Sequence, residues 1–381
     1  MPESDLPERF RKLAATDAIE EIDLFEGALL VSELVDPDED LEAARSAVAE
    51  LAGRVRSRRD TGETPHEALS EVLFTEEGFA GDAESYDQPS NSSVARVLAR
   101  RTGMPITLSI VTIEVARLAG IRLTGVGLPG HFVVGGADLP EGSYLDPFDR
   151  GTLYDAGGLA SRLASIFGQP VAVGRDVLQP DAPRAILSRV LLNLRRSYER
   201  RDRWEEALEA LACAEALEPG DATLARERGL LLVRCGRLEE ALPVLEAYAE
   251  ASSGKEAEMT LRLVEALRAH GAEALETPES ASEPRRTFTL DEARALMPKV
   301  QELTADAVER YAKLPGDLED ARLEVVQEWA EELRTLGLEI KGLWLVDFDS
   351  GAGYYCWKYP EGALEYFHGY EEGFSGRLPL Q

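Results

Sequence analysis

Cysteine, histidine and basic charge are all scarce in this chain. Only Cys213, Cys235 and Cys356 occur among 381 residues, too few and too scattered for a disulfide framework. No Cys-x-x-Cys pair is present, which excludes a zinc ribbon or finger. Lys and Arg number 41 against 71 Asp and Glu, a formal charge of −30. Such an acidic chain repels phosphate backbones and anionic lipid, so neither nucleic acid nor a membrane surface is expected as a partner. No run approaches the roughly 18 apolar residues of a membrane span. The opening residues Met1-Pro2-Glu3-Ser4-Asp5 are acidic and lack an apolar stretch, so no secretory signal is expected and the expected location is cytoplasmic. What the chain does have is length and apolar content: 44% hydrophobic residues, enough for buried cores in two or three domains.

The N-terminal region reads as helical. Leu41, Ala44, Val48 and Leu51 recur at three- and four-residue spacing after the breaker Asp36-Pro37-Asp38. Leu69, Val72, Leu73 and Phe74 belong to a further helical stretch. Asn91-Ser92 is a candidate N-cap for a short helix through Arg100. A second helix, about Ile106 to Ala119, is apolar on nearly every side and should therefore be buried, with Gly120 as its stop. Strand-like runs follow at Leu123–Leu128, His131–Val134 and Ser143–Asp146. Together these predict a helix packed on a small antiparallel sheet.

From Ser188 the chain shows a 34-residue period. Leu191, Leu194, Tyr198, Ala207, Leu211 and Ala214 are matched 34 residues later by Ala225, Arg228, Leu232, Ala241, Leu245 and Tyr248. This is a tetratricopeptide pattern, with Gly229 at the small-residue position, Arg195 and Arg228 as weak matches, and Met259–Leu267 as a capping helix. One helix pair cannot bury its own apolar face, so the repeats must stack on a neighbour, here the N-terminal domain. The expected domains are 1–182, 183–270 for the repeats, a linker at 271–287 rich in Glu, Ser and Pro, and 288–381. The last of these reads as helices at Leu290–Leu314 and Leu318–Leu336, then aromatic strands at Leu343–Phe348, Tyr354–Trp357 and Leu364–Phe367.

Of four histidines, His66 and His270 sit in polar helical or loop surroundings. His131 stands at the mouth of an apolar strand, and Asp146 follows fifteen residues later. Adjacent antiparallel strands would set this carboxylate beside the imidazole, either to orient a catalytic base or merely to fix strand register.

Several ordered segments then resemble the bacterial SirB family, which joins a transglutaminase-like domain to tetratricopeptide repeats. They are Leu73-Phe74-Thr75-Glu76-Glu77-Gly78-Phe79, Asn91-Ser92, Arg100 through Ser109, Pro129-Gly130-His131-Phe132 and Asp146-Pro147-Phe148. The resemblance covers most of residues 6–270. It implies a papain-like core, a central helix on an antiparallel sheet with His and Asp on neighbouring strands. The superfamily places a Cys at the start of that helix, where the helix end stabilises a thiolate. Here the helix start reads Gly103-Met104-Pro105-Ile106-Thr107-Leu108-Ser109, without a thiol. Thr107 and Ser109 offer hydroxyls, poorer nucleophiles unless a base contacts them, and Thr107 also suits a first-turn capping role.

Residues 288–381 resemble an uncharacterised small bacterial domain family through Lys341–Phe348, Tyr355-Cys356-Trp357, Glu365–His368 and Glu372–Arg377. Asp347, Asp349, Cys356 and His368 on neighbouring strands are weak metal candidates, and the spacing matches no standard site. Trp344, Tyr354, Trp357, Tyr359, Tyr366 and Phe367 suggest instead an aromatic docking surface. The expected class is α+β: a helical N-terminal part with a helix-on-antiparallel-sheet core, α-helical repeat hairpins, then a small α+β C-terminal domain. The expected function is a non-catalytic interaction scaffold without cofactor, binding a protein or peptide through the repeats or the core groove. The alternative is an amide hydrolase or acyltransferase that uses His131 and Asp146 with Thr107, Ser109 or a water.

Overall fold

The computed structural model describes residues 5–15, 22–128, 130–167, 178–252, 255–271, 286–314, 319–350, 354–368 and 378–379. The chain forms two compact units, Met1–Ala274 and Leu275–Gln381. Most of the expected linker 271–287 lies outside the described residues.

The first unit begins with helices α1 (Leu6–Ala14), α2 (Leu24–Val35), α3 (Leu41–Asp60) and α4 (Pro65–Ser70). Asp23 and Asp40 cap α2 and α3 by accepting from first-turn backbone N–H groups, which offsets the orphan donors of a helix start. A short strand β1 (Ala80–Gly81) and a 3₁₀ turn at Pro89–Ser92 lead into α5 (Val94–Arg100). The cap of α5 is Ser93, whose hydroxyl accepts from Arg96 N–H, rather than Asn91 or Ser92. Asn91 is consumed otherwise: its buried amide donates to the Ser85 carbonyl at 2.7 Å and its oxygen accepts from Arg100 at 2.7 Å. β2 (Thr102–Gly103) pairs with β1 in parallel.

Helix α6 (Pro105–Leu118) is the buried centre. Ile106, Leu108, Ile110, Val111 and Val115 are all essentially inaccessible, each contributing about 2 kcal/mol of burial relative to exposure. Gly120 ends it at φ +73°, a conformation favouring glycine. The sheet on which it packs has four antiparallel strands in chain order, β3 (Thr124–Leu128), β4 (His131–Gly135), β5 (Ser143–Asp146) and β6 (Thr152–Asp155). β6 and the following α7 (Ala156–Phe167) lie outside the elements expected from the sequence. Leu159 and Leu163 of α7 pack on Val126, Leu128 and Val133.

Five helices follow: α8 (Pro183–Glu199), α9 (Trp204–Leu217), α10 (Ala222–Arg234), α11 (Leu238–Ala251) and α12 (Lys255–His270). They are the expected hairpins and capping helix. A Cβ on Gly229 would lie 2.5 Å from Leu245, so α10 and α11 approach too closely for any side chain there. The weak repeat positions are filled by ion pairs: Arg195 reaches Glu227 on α10, and Arg228 reaches Glu215 on α9 at 3.0 Å. The repeats do stack on the N-terminal helices, α1 against α9 and α2 against α8. At that second contact a Cβ on Gly27 would fall 2.3 Å from Leu187.

The second unit comprises α13 (Leu290–Lys313), α14 (Glu319–Thr335) and strands β7 (Glu339–Gly342), β8 (Leu345–Asp349), β9 (Tyr354–Lys358), β10 (Tyr366–His368) and β11 (Leu378–Pro379). They form one antiparallel sheet in the order β11-β10-β9-β8-β7. The strand expected at 343–348 runs instead over Leu345–Asp349, with the unexpected β7 before it, because Trp344 turns the chain between them at φ +59°. Among the described residues of both units, no helix is long and apolar enough to cross a membrane.

Candidate functional site

The register Val134↔Leu145 places Asp146 one step diagonally from His131 on the same sheet face. His131 Nε2 meets Asp146 Oδ2 at 2.8 Å, and the two residues are 3% and 0% exposed. The other carboxylate oxygen accepts the backbone N–H of Phe148 at 3.0 Å and of Asp149 at 3.3 Å. Arg162 on α7 stands 3.8 Å from Oδ2. Three hydrogen-bond contacts and one nearby guanidinium thus converge on one buried carboxylate and hold it in place. With Nε2 engaged by Asp146, Nδ1 is the ring nitrogen without a hydrogen-bond partner among the described residues. Phe148 meets the imidazole edge-on at 6.0 Å between centroids and steadies its plane.

His131 lines a cleft of about 500 Å³, together with Pro105 and Ile106 from the start of α6 and with residues of α8. The positive end of the α6 dipole therefore faces this cleft. The two sequence-proposed hydroxyls behave differently from nucleophiles. Thr107 is fully buried and donates to the carbonyls of Asn91 at 2.8 Å and Met104 at 3.1 Å. Ser109 is also fully buried, and its Oγ has no hydrogen-bond partner among the described residues. Neither is hydrogen-bonded to His131 among the described residues. The position at the helix mouth is held by a proline and an isoleucine.

Two arginines of α8 belong to the site and escaped sequence reading. Arg189 Nη2 donates to the carbonyls of Leu128 at 2.7 Å and His131 at 2.8 Å, clamping the turn that carries the histidine. Its guanidinium lies over the Phe132 ring at 5.5 Å, and burial pushes its pKa down. Arg196 lines the same cleft two turns further along. The two Arg189 contacts span 61 and 58 residues of sequence, which no local pattern reveals.

The thiols lie elsewhere. Cys213 is buried inside α9 and Cys235 ends α10; burial raises both pKa values, that of Cys235 to about 11. His66 rests against the Thr64 hydroxyl at 3.1 Å. In the second unit Asp347 and Cys356 face each other directly across β8 and β9, both 0% exposed. His368 pairs in register with Tyr354, and its side chain lies outside the described residues, as does that of His270. Among the described residues no group of three potential metal ligands converges. The expected aromatic surface is corrected in part: Tyr354 and Trp357 are 5% and 1% exposed, Trp344 and Tyr359 are half-buried against the core that holds Trp329 of α14, and Tyr366 and Phe367 are half-buried. Aromatic side chains offer a small sheet a large area to bury, which is why Tyr354 and Trp357 turn inward.

Three family comparisons agree with this geometry. Residues 42–192 match the transglutaminase-like superfamily and residues 194–269 match a tetratricopeptide repeat. Residues 316–380 match "Uncharacterized conserved protein (DUF2203)", so α13 precedes the matched part of the second unit. A UPF0162 protein of Xylella fastidiosa (strain Temecula1) is 36% identical over 187 residues, 48% of this chain and 66% of that protein. The chain therefore spans just under two thirds of that relative's length. A UPF0162 protein of Vibrio cholerae is 28% identical over 217 residues, covering 55% of this chain and 79% of its own. F-box only protein 21 of Mus musculus is 37% identical over 83 residues, 22% of this chain and 13% of its own. No solved structure matches. The chain thus carries a transglutaminase-like domain, tetratricopeptide repeats and an uncharacterised C-terminal domain, and its similarity is to bacterial UPF0162 proteins.

Proposed function

We propose that this chain is a SirB-type, cytoplasmic interaction protein whose transglutaminase-like core has become a binding cleft. The observation that carries the reading is the mouth of α6. Beside the His131–Asp146 pair, the helix start offers Pro105 and Ile106 to the cleft, while the Thr107 hydroxyl is committed to the Asn91 carbonyl. A base without a nucleophile in reach performs no acyl transfer through the enzyme. Domain boundaries near 182, 270 and 288 fit this reading, with the repeats walling the cleft and the C-terminal domain tethered as a second contact of unassigned chemistry. Treatment with a fluorophosphonate and with iodoacetamide, read by intact mass, tests it. No adduct that depends on His131 is expected, and an adduct on Thr107 or Ser109 lost in His131→Ala overturns the reading.

One observation favours a second reading, an amide hydrolase or acyltransferase using a His131-activated water. The pair is intact at 2.8 Å, and its aspartate is held by two backbone N–H groups. Peptide turnover abolished by both His131→Ala and Asp146→Asn would establish it.

A further inference from the structure

A second cavity lies beside the same central helix, and among the described residues it shares no lining residue with the cleft at His131. It measures about 780 Å³ and is walled by the start of α2, the second half of α6, β3 and the start of α8. From Pro105 to Ala116, Ile113 is the only residue of α6 that is not buried. It stays half-buried because it faces this cavity. Ile22 and Leu24 are half-buried against the same space, and Phe25, Ile110 and Ile186 form its buried floor. Interiors are close-packed and keep few voids larger than a water molecule. An apolar wall offers water no hydrogen bonds, so water is a poor filling for a space of this size. The volume falls within the range of small-molecule sites, roughly 300–1,000 Å³.

The charges at its rim are already matched. Glu114 accepts from Arg117 through both oxygens at 2.7 Å. Arg122 is held by Asp138 at 3.2 Å. Asp23 accepts two first-turn N–H groups of α2 at 3.0 Å. The Asp181 carboxylate lies in the field of Arg189. An ionised ligand would enter without a counter-charge to meet, and burying an unpaired charge is costly. A neutral apolar molecule meets no such penalty and covers the three half-buried side chains.

We infer, independently of what occupies the cleft, that this cavity is a binding site for a neutral, apolar small molecule and discriminates against ionised ones. Its occupant touches α6 and α8, the two helices that also wall the cleft.

The test is fluorescence titration of the full-length protein with N-phenyl-1-naphthylamine and with its 8-sulfonate, in about 0.5 M sodium chloride. The two probes share one ring frame and differ by a single negative charge, and the salt screens the chain's formal charge of −30. The expected result is saturable binding of the neutral probe at one molecule per chain, with the sulfonate weaker by about tenfold or more. Ile113→Trp, which fills the space, should weaken the neutral probe by about tenfold or more. Tyr86→Ala, in the cleft, should leave it unchanged. Absence of saturable binding means that the chain itself closes the cavity, and overturns the inference. Equal affinity for the two probes overturns it as well. So does binding that is lost in Tyr86→Ala and kept in Ile113→Trp, which moves the probe to the cleft. The probe comparison uses the unaltered protein, so it decides even if Ile113→Trp misfolds.

Discussion

Both units build an antiparallel sheet against helices and place acid, histidine or thiol side chains on adjacent strands, yet the sheets put those groups to different use. In the first, His131 and Asp146 lie at strand ends, and the imidazole reaches a cleft walled by α6 and α8. In the second, Asp347 and Cys356 lie mid-strand with no exposed surface, and Phe348 and Trp357 belong to the buried core. Reactive residue types on neighbouring strands make a site only where a strand ends at an opening. The first sheet is also framed by helices from a separate module, which supplies Arg189 and Arg196, whereas the described core of the second draws only on its own elements.

The sharpest way to break this contrast is at Trp357. If it is core, Trp357→Ala costs the second unit about 3–5 kcal/mol, read as a lowered urea midpoint in tryptophan fluorescence. A cost under about 0.5 kcal/mol, the range of a surface residue, would restore the docking-surface reading. Next is Asp146→Ala in the first unit. It strands the imidazole N–H and two backbone donors, and about 3 kcal/mol of destabilisation is expected. Asp146→Asn should lose roughly half of that, since the amide oxygen still accepts. Equal stability of all three proteins would mean that the pair is not a folding element at all.

Gly229→Val tests the packing of the repeats that wall the cleft. The added side chain meets Leu245 at the tight crossing of α10 and α11, and about 1–3 kcal/mol of overpacking is expected in thermal melts. The smallest effect concerns the thiols. Burial and Glu205 raise Cys235 to about 11; a raised thiol pKa means less thiolate, about one part in a thousand at pH 8. Alkylation of Cys235 by iodoacetamide at pH 8 should be far slower than that of free cysteine and should accelerate as pH rises towards 11. Rapid labelling at pH 7 would mark it as an activated thiol.

The periodic parts were legible from sequence for physical reasons. The helix repeat and the fully apolar α6 announce themselves through spacing, and the His–Asp pair through strand proximity. What stayed hidden depends on distance along the chain. Arg189 reaches its carbonyl partners across about 60 residues, β6 and α7 have weak patterns, and the Ser93 cap was masked by two equally good capping residues before it. The direction in which an aromatic strand faces is likewise set by the helices that cover it, here Trp329 of α14 against Trp344 at 4.8 Å.

His131 and Asp146 are proposed to hold the cleft together without turning over a substrate. The most direct test is incubation of the full-length protein with a mixed pool of glutamine- and asparagine-containing peptides and a primary amine, with products read by mass spectrometry beside His131→Ala. Identical spectra are expected for the two proteins. Hydrolysed or amine-linked peptides in the unaltered protein alone would contradict it.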